Sequence, residues 1–236
     1  MGKISKRTRE IQGRIEKKQY KPIEAINVLK QTATAKFAET AEAHISLKLD
    51  TKHADQQLRS STTLPNGTGK KIRIGVITHE NHVKESMSAG ADVAGSEDLI
   101  QEIMKGIIQF DKLIATPDMM PAVAKLGKIL GPRGLMPSPK SGTVTQDVRS
   151  TIKEFRMGKL EYRADKCGIV HVPFGKANFP ETELLTNLEA IKESIEKNRP
   201  RGAKGKYWKS FHICSTMGPS IPIDISGFQK SNQLQK

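Results

Sequence analysis

Cysteine, aromatic residues and long apolar runs are all scarce in this 236-residue sequence. Its two cysteines, Cys167 and Cys214, stand too far apart to build a disulfide framework or a cysteine-based zinc module. No apolar run approaches the roughly 20 residues that a bilayer span requires. The first residues also lack the apolar segment of a signal peptide. These absences predict a soluble protein of a reducing compartment with no membrane partner and no metal site.

Acidic residues are in the minority. The chain has 39 Lys and Arg residues against 25 Asp and Glu, which gives a formal net charge of +14. Its pI is about 9.8 and its mean hydropathy is −0.49. Such a surplus of positive charge predicts a polyanionic partner, with nucleic acid as the first candidate and an acidic membrane surface as the second.

The surplus charge lies at the two ends of the chain. Residues 68–158 hold 13 basic and 10 acidic residues, whereas the flanks 1–67 and 159–236 together hold 26 basic and 15 acidic ones. We therefore predict a discontinuous domain made of 1–67 and 159–236, with 68–158 inserted into it. The junctions are rich in turn formers and predict a hinge. The predicted hinge residues are Gly67, Gly69 and Gly158.

The flanks carry the patterns of an antiparallel α+β sandwich. Strict alternation over residues 40–49 predicts a half-buried strand whose inward positions are the odd-numbered ones. Two short strand-like runs, LEYR and GIVHVPF, follow the middle region, and KYWKSFHICSTM predicts a last long strand. Helices are predicted from Pro22 and from Pro180. Their expected core-facing stripes are Ile23, Ile26 and Leu29 in the first helix, and Leu184, Leu188, Ile191 and Ile195 in the second.

The middle region alternates short apolar runs, KIRIGVIT, DVAG and KLIAT, with helical stretches, which predicts a parallel, doubly wound α/β sheet. A rival hypothesis is an enzyme that binds a dinucleotide on this sheet. It would need a glycine fingerprint at the first strand–helix turn, where the chain has Thr78-His-Glu-Asn instead. His79 and His82 lack the one-turn spacing of a zinc site and predict a surface turn. No catalytic residue and no cofactor is predicted.

Three basic regions leave two interpretations open. The segment 125–146 has four basic and no acidic residues, and is either an irregular loop or a secondary contact for RNA or tRNA. The first 21 residues carry eight Lys or Arg, typical of RNA contact or of a solvated helix face. The segment 197–223 combines six basic residues with three rings that serve RNA contact or the core. The candidate secondary contacts are Lys128, Arg133 and Lys140.

Four segments together resemble the ribosomal protein L-one family, a protein of the mobile stalk of the large subunit beside the tRNA exit site. They are LGKILGPRGLMPSPKSGTV, ATAKFAET, YRADKCGIVHVPFGKANF and AKGKYWKSFHICSTMGPSI. The resemblance covers nearly the whole chain in the order of the family. The details VHVPFGKA and KGKYWKSF are most similar to cyanobacterial and plastid members.

The resemblance implies a non-enzymatic structural constituent of the large ribosomal subunit that is not a homo-oligomer and has no cofactor or membrane partner. Its partners would be large-subunit ribosomal RNA and exit-site tRNA, whose release in deacylated form it would assist. It would also repress translation by binding its own messenger RNA. A free messenger-RNA regulator shares the same RNA surface, and sedimentation with ribosomes separates the two. The expected location is a ribosome in a plastid (chloroplast) stroma or a cyanobacterial or other bacterial cytoplasm.

The resemblance also implies a basic terminal domain that grips ribosomal RNA and an inserted Rossmann-like three-layer α/β domain. Glu42 stands out among the matching positions because a carboxylate cannot pair with phosphate. It would accept from a ribose hydroxyl or a base amine. The RNA-binding positions that the resemblance implies are Lys36, Phe37, Thr40, Glu42, Asp165, Lys166, His171, Lys176, Ser215, Thr216, Met217 and Gly218.

Overall fold

The computed structural model divides the chain into two compact units, Met1–Gly69 with Tyr162–Lys236, and Lys70–Glu161. No helix within the described part of the chain is long and apolar enough to cross a membrane. The side chains of Ala54 and Lys140 lie outside the description, as do residues 1–5, 14 and 17 of the basic N-terminal run. The described residues are 6–13, 15–16, 18–203 and 205–228.

Helices and strands alternate along much of the chain. The α-helices are α1 (Lys6–Gly13), α2 (Pro22–Thr32), α3 (Glu80–Ser88), α4 (Glu97–Met104), α5 (Met120–Ala124), α6 (Gly127–Leu130), α7 (Val148–Met157) and α8 (Glu181–Lys197). The strands are β1 (Thr40–Leu47), β2 (Arg59–Thr63), β3 (Ile74–Ile77), β4 (Val93–Gly95), β5 (Lys112–Ala115), β6 (Lys159–Arg163), β7 (Ile169–Lys176), β8 (Trp208–Ser215) and β9 (Ile221–Pro222). Short 3-10 helices cover Ala54–Gln56, Pro117–Met119 and Pro139–Ser141.

The first unit contains an antiparallel sheet with the strand order β7-β1-β8-β9. The predicted alternation of its central strand β1 is confirmed, because Ala41, Ala43, Ile45 and Leu47 are buried and the residues between them are not. Helices α2 and α8 pack against each other and against β8 and β7. The opposite face of the sheet is therefore left to the polar side chains of β1.

The helix α8 confirms its predicted stripe, since its four predicted apolar positions are completely buried. In α2 the stripe is partly wrong, because Ile23 is 53% exposed while Ile26 and Leu29 are buried. Steps of three residues fall short of the 3.6 residues of a helical turn, so a stripe built on them rotates away from the core. The buried positions of α2 are Pro22, Ala25, Ile26, Leu29 and Thr32.

The second unit contains the predicted parallel sheet, with the strand order β4-β3-β5. The side chains of β3 alternate between two apolar clusters, since Ile77 joins one and Ile74 and Val76 join the other. The first cluster takes residues from α4, α5 and α6, and the second takes Ile152 and Phe155 from α7. Both faces of this sheet are therefore buried, as continuous apolar strands predict.

One local prediction for this unit is wrong. The segment from His79 to His82 is not a surface turn, because His79 is the N-cap of α3 and the following residues are helical. The segment 125–146, for which two interpretations were open, is ordered in part, because it contains α6 and the 3-10 helix Pro139–Ser141. Leu126 and Leu130 are fully buried, and these apolar anchors fix the segment on the unit.

The glycines at the junctions adopt the left-handed conformation that favours glycine. Gly67 and Gly69 have φ values of 63° and 69°, and Gly158 ends α7 with a φ of 108°. The strands β2 and β6 form a separate two-stranded sheet, and the boundary between the two compact units falls inside β6. The hinge role of these glycines stays a prediction.

Candidate nucleic-acid interface

The start of β1 joins two segments that are distant in sequence. The amide of Thr40 donates to Oγ1 of Thr216 at 3.0 Å, and the amide of Thr216 donates to the carbonyl of Thr40 at 3.0 Å. Lys176 on β7 pairs with Thr40 on β1, and its Nζ donates to Oγ1 of Thr40 at 2.8 Å. Three of the RNA-binding positions implied by the resemblance are thus brought together here.

Glu39, just before β1, is the buried carboxylate of this region, with only 1% of its surface exposed. Its Oε1 accepts from the amide of Ala35 at 2.8 Å, and its Oε2 accepts from the amide of Met217 at 3.0 Å. The guanidinium of Arg7 lies 3.7 Å from Oε1. Burial raises the pKa of Glu39, but the amide of Met217, the hydroxyl of Ser215, the amide of Ala35 and the charge of Arg7 together bring it below its ordinary value.

The two loops held by Glu39 each expose a large apolar side chain. Phe37 is 54% exposed and Met217 is 58% exposed. Arg7 adds a second tie, because it donates to the carbonyl of Met217 at 3.4 Å and to Oγ1 of Thr34 at 3.0 Å. Beside Met217, a Cβ on Gly218 would overlap Oγ of Ser215, so the backbone there is tightly fitted. The backbones of the two loops are therefore held in place, while the side chains of Phe37 and Met217 are exposed to solvent.

A second group of the implied positions surrounds the polar face of β1. Nδ1 of His171 lies 2.8 Å from Nδ1 of His44, and Nε2 of His171 lies 3.6 Å from Oδ2 of Asp165. Burial, together with the neighbouring His171, lowers the pKa of His44. Glu42, next to His44 on this face, keeps its side chain 39% exposed. This group therefore offers an acceptor and imidazoles rather than a surplus of positive charge.

Asp165 also organises the turn before β7. Its Oδ1 accepts from the amides of Cys167 at 2.8 Å and Ile169 at 2.7 Å. The amide of Ile169 is the main reason that the pKa of Asp165 lies below its ordinary value. Lys166 is exposed at the tip of this turn. Asp165 consequently fixes the position of Lys166 whether or not it contacts a ligand itself.

The remaining candidates do not all join this surface. Ser215 is only 2% exposed, because its inward position on β8 buries the side chain. The prediction that Ser215 lies on the binding surface is therefore wrong for its side chain.

Lys36 is exposed in the loop of Phe37. Lys128 and Arg133 are exposed but belong to the second unit. Lys140 lies in a 3-10 helix, and its side chain is outside the description.

The rings of segment 197–223 belong mainly to the core. Tyr207 is 4% exposed and Phe211 is 1% exposed, and Trp208 stacks on Phe211 with an interplanar angle of 13°. Burial raises the pKa of Tyr207 to about 12. Of the two interpretations of these rings, the core one is therefore correct for Tyr207 and Phe211.

Sequence reasoning missed three residues of this surface: Arg7, Glu39 and His44. The only local signal for Glu39 is its place immediately before a strictly alternating strand. Its decisive partner, the amide of Met217, is 178 positions away. A buried carboxylate with two backbone amides is a positioning device, and the loops it positions carry Phe37 and Met217.

The comparisons with known proteins concern the chain as a whole. The profile of the Ribosomal protein L1p/L10e family matches residues 29–219, which include most of both units. The chain belongs to this family. It is 69% identical over 232 residues to the large ribosomal subunit protein uL1c of Guillardia theta, covering 98% of this chain and 99% of that protein. It is 60% identical over 227 residues to the large ribosomal subunit protein uL1 of Trichormus variabilis, covering 96% and 95%. The predicted resemblance is confirmed.

The free energy of unfolding of the Glu39→Gln variant is expected to be about 1–3 kcal/mol lower than that of the wild-type chain, because two buried amides lose a charged acceptor. Urea denaturation at neutral pH measures the loss. The Glu42→Gln variant is the matched control, since the carboxylate of Glu42, three residues further along the chain, is partly exposed.

The same pair of proteins tests the pKa of Glu39. Because folding lowers this pKa, the ionised carboxylate stabilises the fold above its ordinary value of 4.5, and that contribution disappears as the pH falls through the folded value. The wild-type chain should therefore lose more stability on acidification than Glu39→Gln. Parallel stability–pH curves for the two proteins would contradict the role given to Glu39.

Proposed function

We propose that this chain is a structural constituent of the large ribosomal subunit and binds large-subunit ribosomal RNA through its first unit. The observation that carries the proposal is the buried carboxylate of Glu39, which holds the two loops that expose Phe37 and Met217. Family membership and relatives named as large ribosomal subunit proteins support the same assignment.

The side chains around these loops suit the chemistry of folded RNA. Lys36, Lys166 and Lys176 supply positive charge for phosphates. Phe37 and Met217 supply apolar surface for unstacked bases and riboses. Glu42 supplies an acceptor for ribose hydroxyls or base amines. A surface with all three kinds of contact reads RNA shape, whereas a purely cationic surface would bind any polyanion.

Two further roles belong to the same proposal. Exposed Lys128 and Arg133 on the second unit would contact exit-site tRNA and assist the release of deacylated tRNA. Ribosomes reconstituted with a Lys128→Ala, Arg133→Ala double variant should then release deacylated tRNA more slowly while the variant still binds ribosomal RNA normally. The same surface of the first unit would bind the messenger RNA of the chain itself and repress its translation.

The relatives include plastid and cyanobacterial proteins, so the ribosome concerned is that of a plastid or of a bacterial cytoplasm.

Repression of the chain's own messenger RNA is tested by translating that messenger in a cell-free system with added protein. Translation should fall with wild-type protein and much less with Met217→Asp. Equal repression by both proteins would contradict a shared RNA surface.

Affinity for a stalk fragment of large-subunit ribosomal RNA should fall steeply with salt. Each neutralised phosphate contributes a slope of roughly −0.7 to −0.9 in a plot of log affinity against log salt. Filter binding between low and physiological salt measures this slope. A flat response would contradict binding through the phosphates.

A further inference from the structure

Three histidines lie side by side on the polar face of the first unit's sheet. In the strand registers, His44 on β1 pairs with His171 on β7 and with His212 on β8. Side chains at directly paired positions share a face of the sheet, which brings residues of three chain segments together. Cys214, two positions beyond His212, lies on the same face beside His44.

Three different metal-ligating groups converge at His44, the middle histidine of this row. Nε2 of His44 lies 3.1 Å from Sγ of Cys214 and 3.9 Å from Oε2 of Glu42. The ligand atoms of these three residues all lie within 4.8 Å of one another. All three residues are half-buried, so their atoms are shielded by the sheet but reachable from solvent. Small side-chain rotations bring such a set around one ion.

The contacts of His171 favour the tautomer of His44 whose Nε2 carries no proton, which is the form that can bind a metal through Nε2. Nδ1 of His44 lies 2.8 Å from Nδ1 of His171, and Nε2 of His171 lies 3.6 Å from Oδ2 of Asp165. If Nδ1–H of His44 donates to His171 and Nε2–H of His171 faces Asp165, the lone pair of Nε2 of His44 is free for a ligand. A histidine ligand backed by a second polar group in this way is the usual arrangement in metal sites.

We propose that Glu42, His44 and Cys214 form a binding site for a zinc-type divalent metal ion, with a fourth coordination position open to solvent. Thiolate, imidazole and carboxylate are the ligand types that zinc takes in proteins. On binding, the Sγ–H bond of Cys214 breaks, its proton leaves to the buffer, and Sγ coordinates the ion. Without the ion, the short contact between Cys214 and His44 is a thiol–imidazole hydrogen bond.

This site was not visible in the sequence, which predicted no metal. Glu42 and His44 are only two polar residues on the same face of one strand, and Cys214 is 170 positions from His44. The antiparallel pairing of β1 with β8 brings them together. The site does not depend on the proposed function, because its three ligands converge whether or not the surface binds RNA.

The test is a titration of the purified, reduced full-length chain with Co²⁺ as the spectroscopic probe for zinc. Cobalt bound to a cysteine thiolate gives a sulfur-to-metal charge-transfer band in the near ultraviolet, and Zn²⁺ should abolish it by displacement. We expect one Co²⁺ per chain. The Cys214→Ser variant should lose the charge-transfer band. The matched control is Cys167→Ser, which removes the other, exposed cysteine and should leave the band unchanged.

Two further variants separate coordination from a nonspecific thiol effect. His44→Gln should abolish tight binding, whereas His171→Ala should weaken Co²⁺ binding about tenfold to a hundredfold and keep the charge-transfer band, since it acts only through His44. Absence of the band in the wild-type chain, or its loss in Cys167→Ser with retention in Cys214→Ser, would overturn the proposal.

A measurement on the unmodified chain covers the case in which Cys214→Ser does not fold. Added Zn²⁺ should slow alkylation of Cys214 and leave alkylation of Cys167 unchanged, as read by mass spectrometry of the digested protein. Equal rates for Cys214 with and without Zn²⁺ would overturn the proposal as well.

Discussion

The Met217→Asp variant is expected to bind a stalk fragment of large-subunit ribosomal RNA about a hundredfold more weakly than the wild-type chain, or about 3 kcal/mol. The side chain of Met217 is 58% exposed, while its amide is held by Glu39 and its carbonyl by Arg7. The substitution therefore leaves the loop in place. It removes an apolar contact and puts a negative charge against a polyanion.

The second unit offers a matched control for this variant. Met157 has the same side chain and the same 58% exposure, but it lies at the end of α7. Met157→Asp should leave RNA affinity unchanged in the same filter-binding titration, with circular dichroism confirming that both variants are folded. If both substitutions weaken binding equally, the effect is one of net charge, and a specific contact at Met217 is contradicted.

Separating the two units should leave nearly all RNA affinity with the first one. The flanks 1–67 and 159–236 carry +11 of the net charge, and the middle 68–158 carries +3. The Glu39-held loops lie entirely in the first unit. We therefore expect a variant in which Gly69 is joined to Lys159 by a short glycine linker to fold and to bind the stalk fragment with most of the wild-type affinity.

The point of joining follows from the hydrogen bonds of Asn187 on α8. This buried side chain accepts from the amide of Asn66 and donates to the carbonyl of Gly67, both at 3.0 Å, so the segment through Gly69 belongs with the first unit. Lys159 begins β6, and starting there keeps the partner strand of β2. The joined variant therefore retains every hydrogen bond described at the candidate surface.

The comparison uses three proteins, the full chain, the joined flanks and the isolated residues 70–158, in filter binding at one salt concentration. The isolated middle should fold around its own parallel sheet and bind the fragment weakly. A folded flank variant without affinity, beside a middle fragment that retains it, would reverse the assignment of RNA binding to the first unit.

Elements governed by local periodicity could be predicted from the sequence. The alternation of β1 and the stripe of α8 each repeat several times, so the inward residues are determined by neighbours two, three or four positions away. Ile23 was wrongly assigned to the core-facing stripe of α2, because steps of three residues rotate away from the buried face of a helix. His79–His82 was wrongly interpreted as a surface turn, because the start of α3 has no capping side chain that would mark it.

The candidate site was predictable only through the resemblance, and only in part. Phe37, Met217 and Lys176 were named because they match family segments. Glu39, Arg7 and His44 act through partners in distant segments, and strand pairing and tertiary packing determine those contacts. Ser215 was named because it matches a family segment, yet a match in sequence does not fix the face of a strand to which a side chain points, and one step along a strand reverses that face.

The strand order of the first unit also determines when this surface can form during synthesis. The central strand β1 ends at Leu47, but its partner β7 begins at Ile169 and its other partner β8 begins at Trp208. A nascent chain therefore carries β1 with both edges unpaired while the whole second unit emerges and completes its own local sheet. The carboxylate of Glu39 can meet the amide of Met217 only after Met217 itself has left the exit tunnel. A chain that terminates before Met217 consequently cannot assemble the pair of loops that Glu39 holds together.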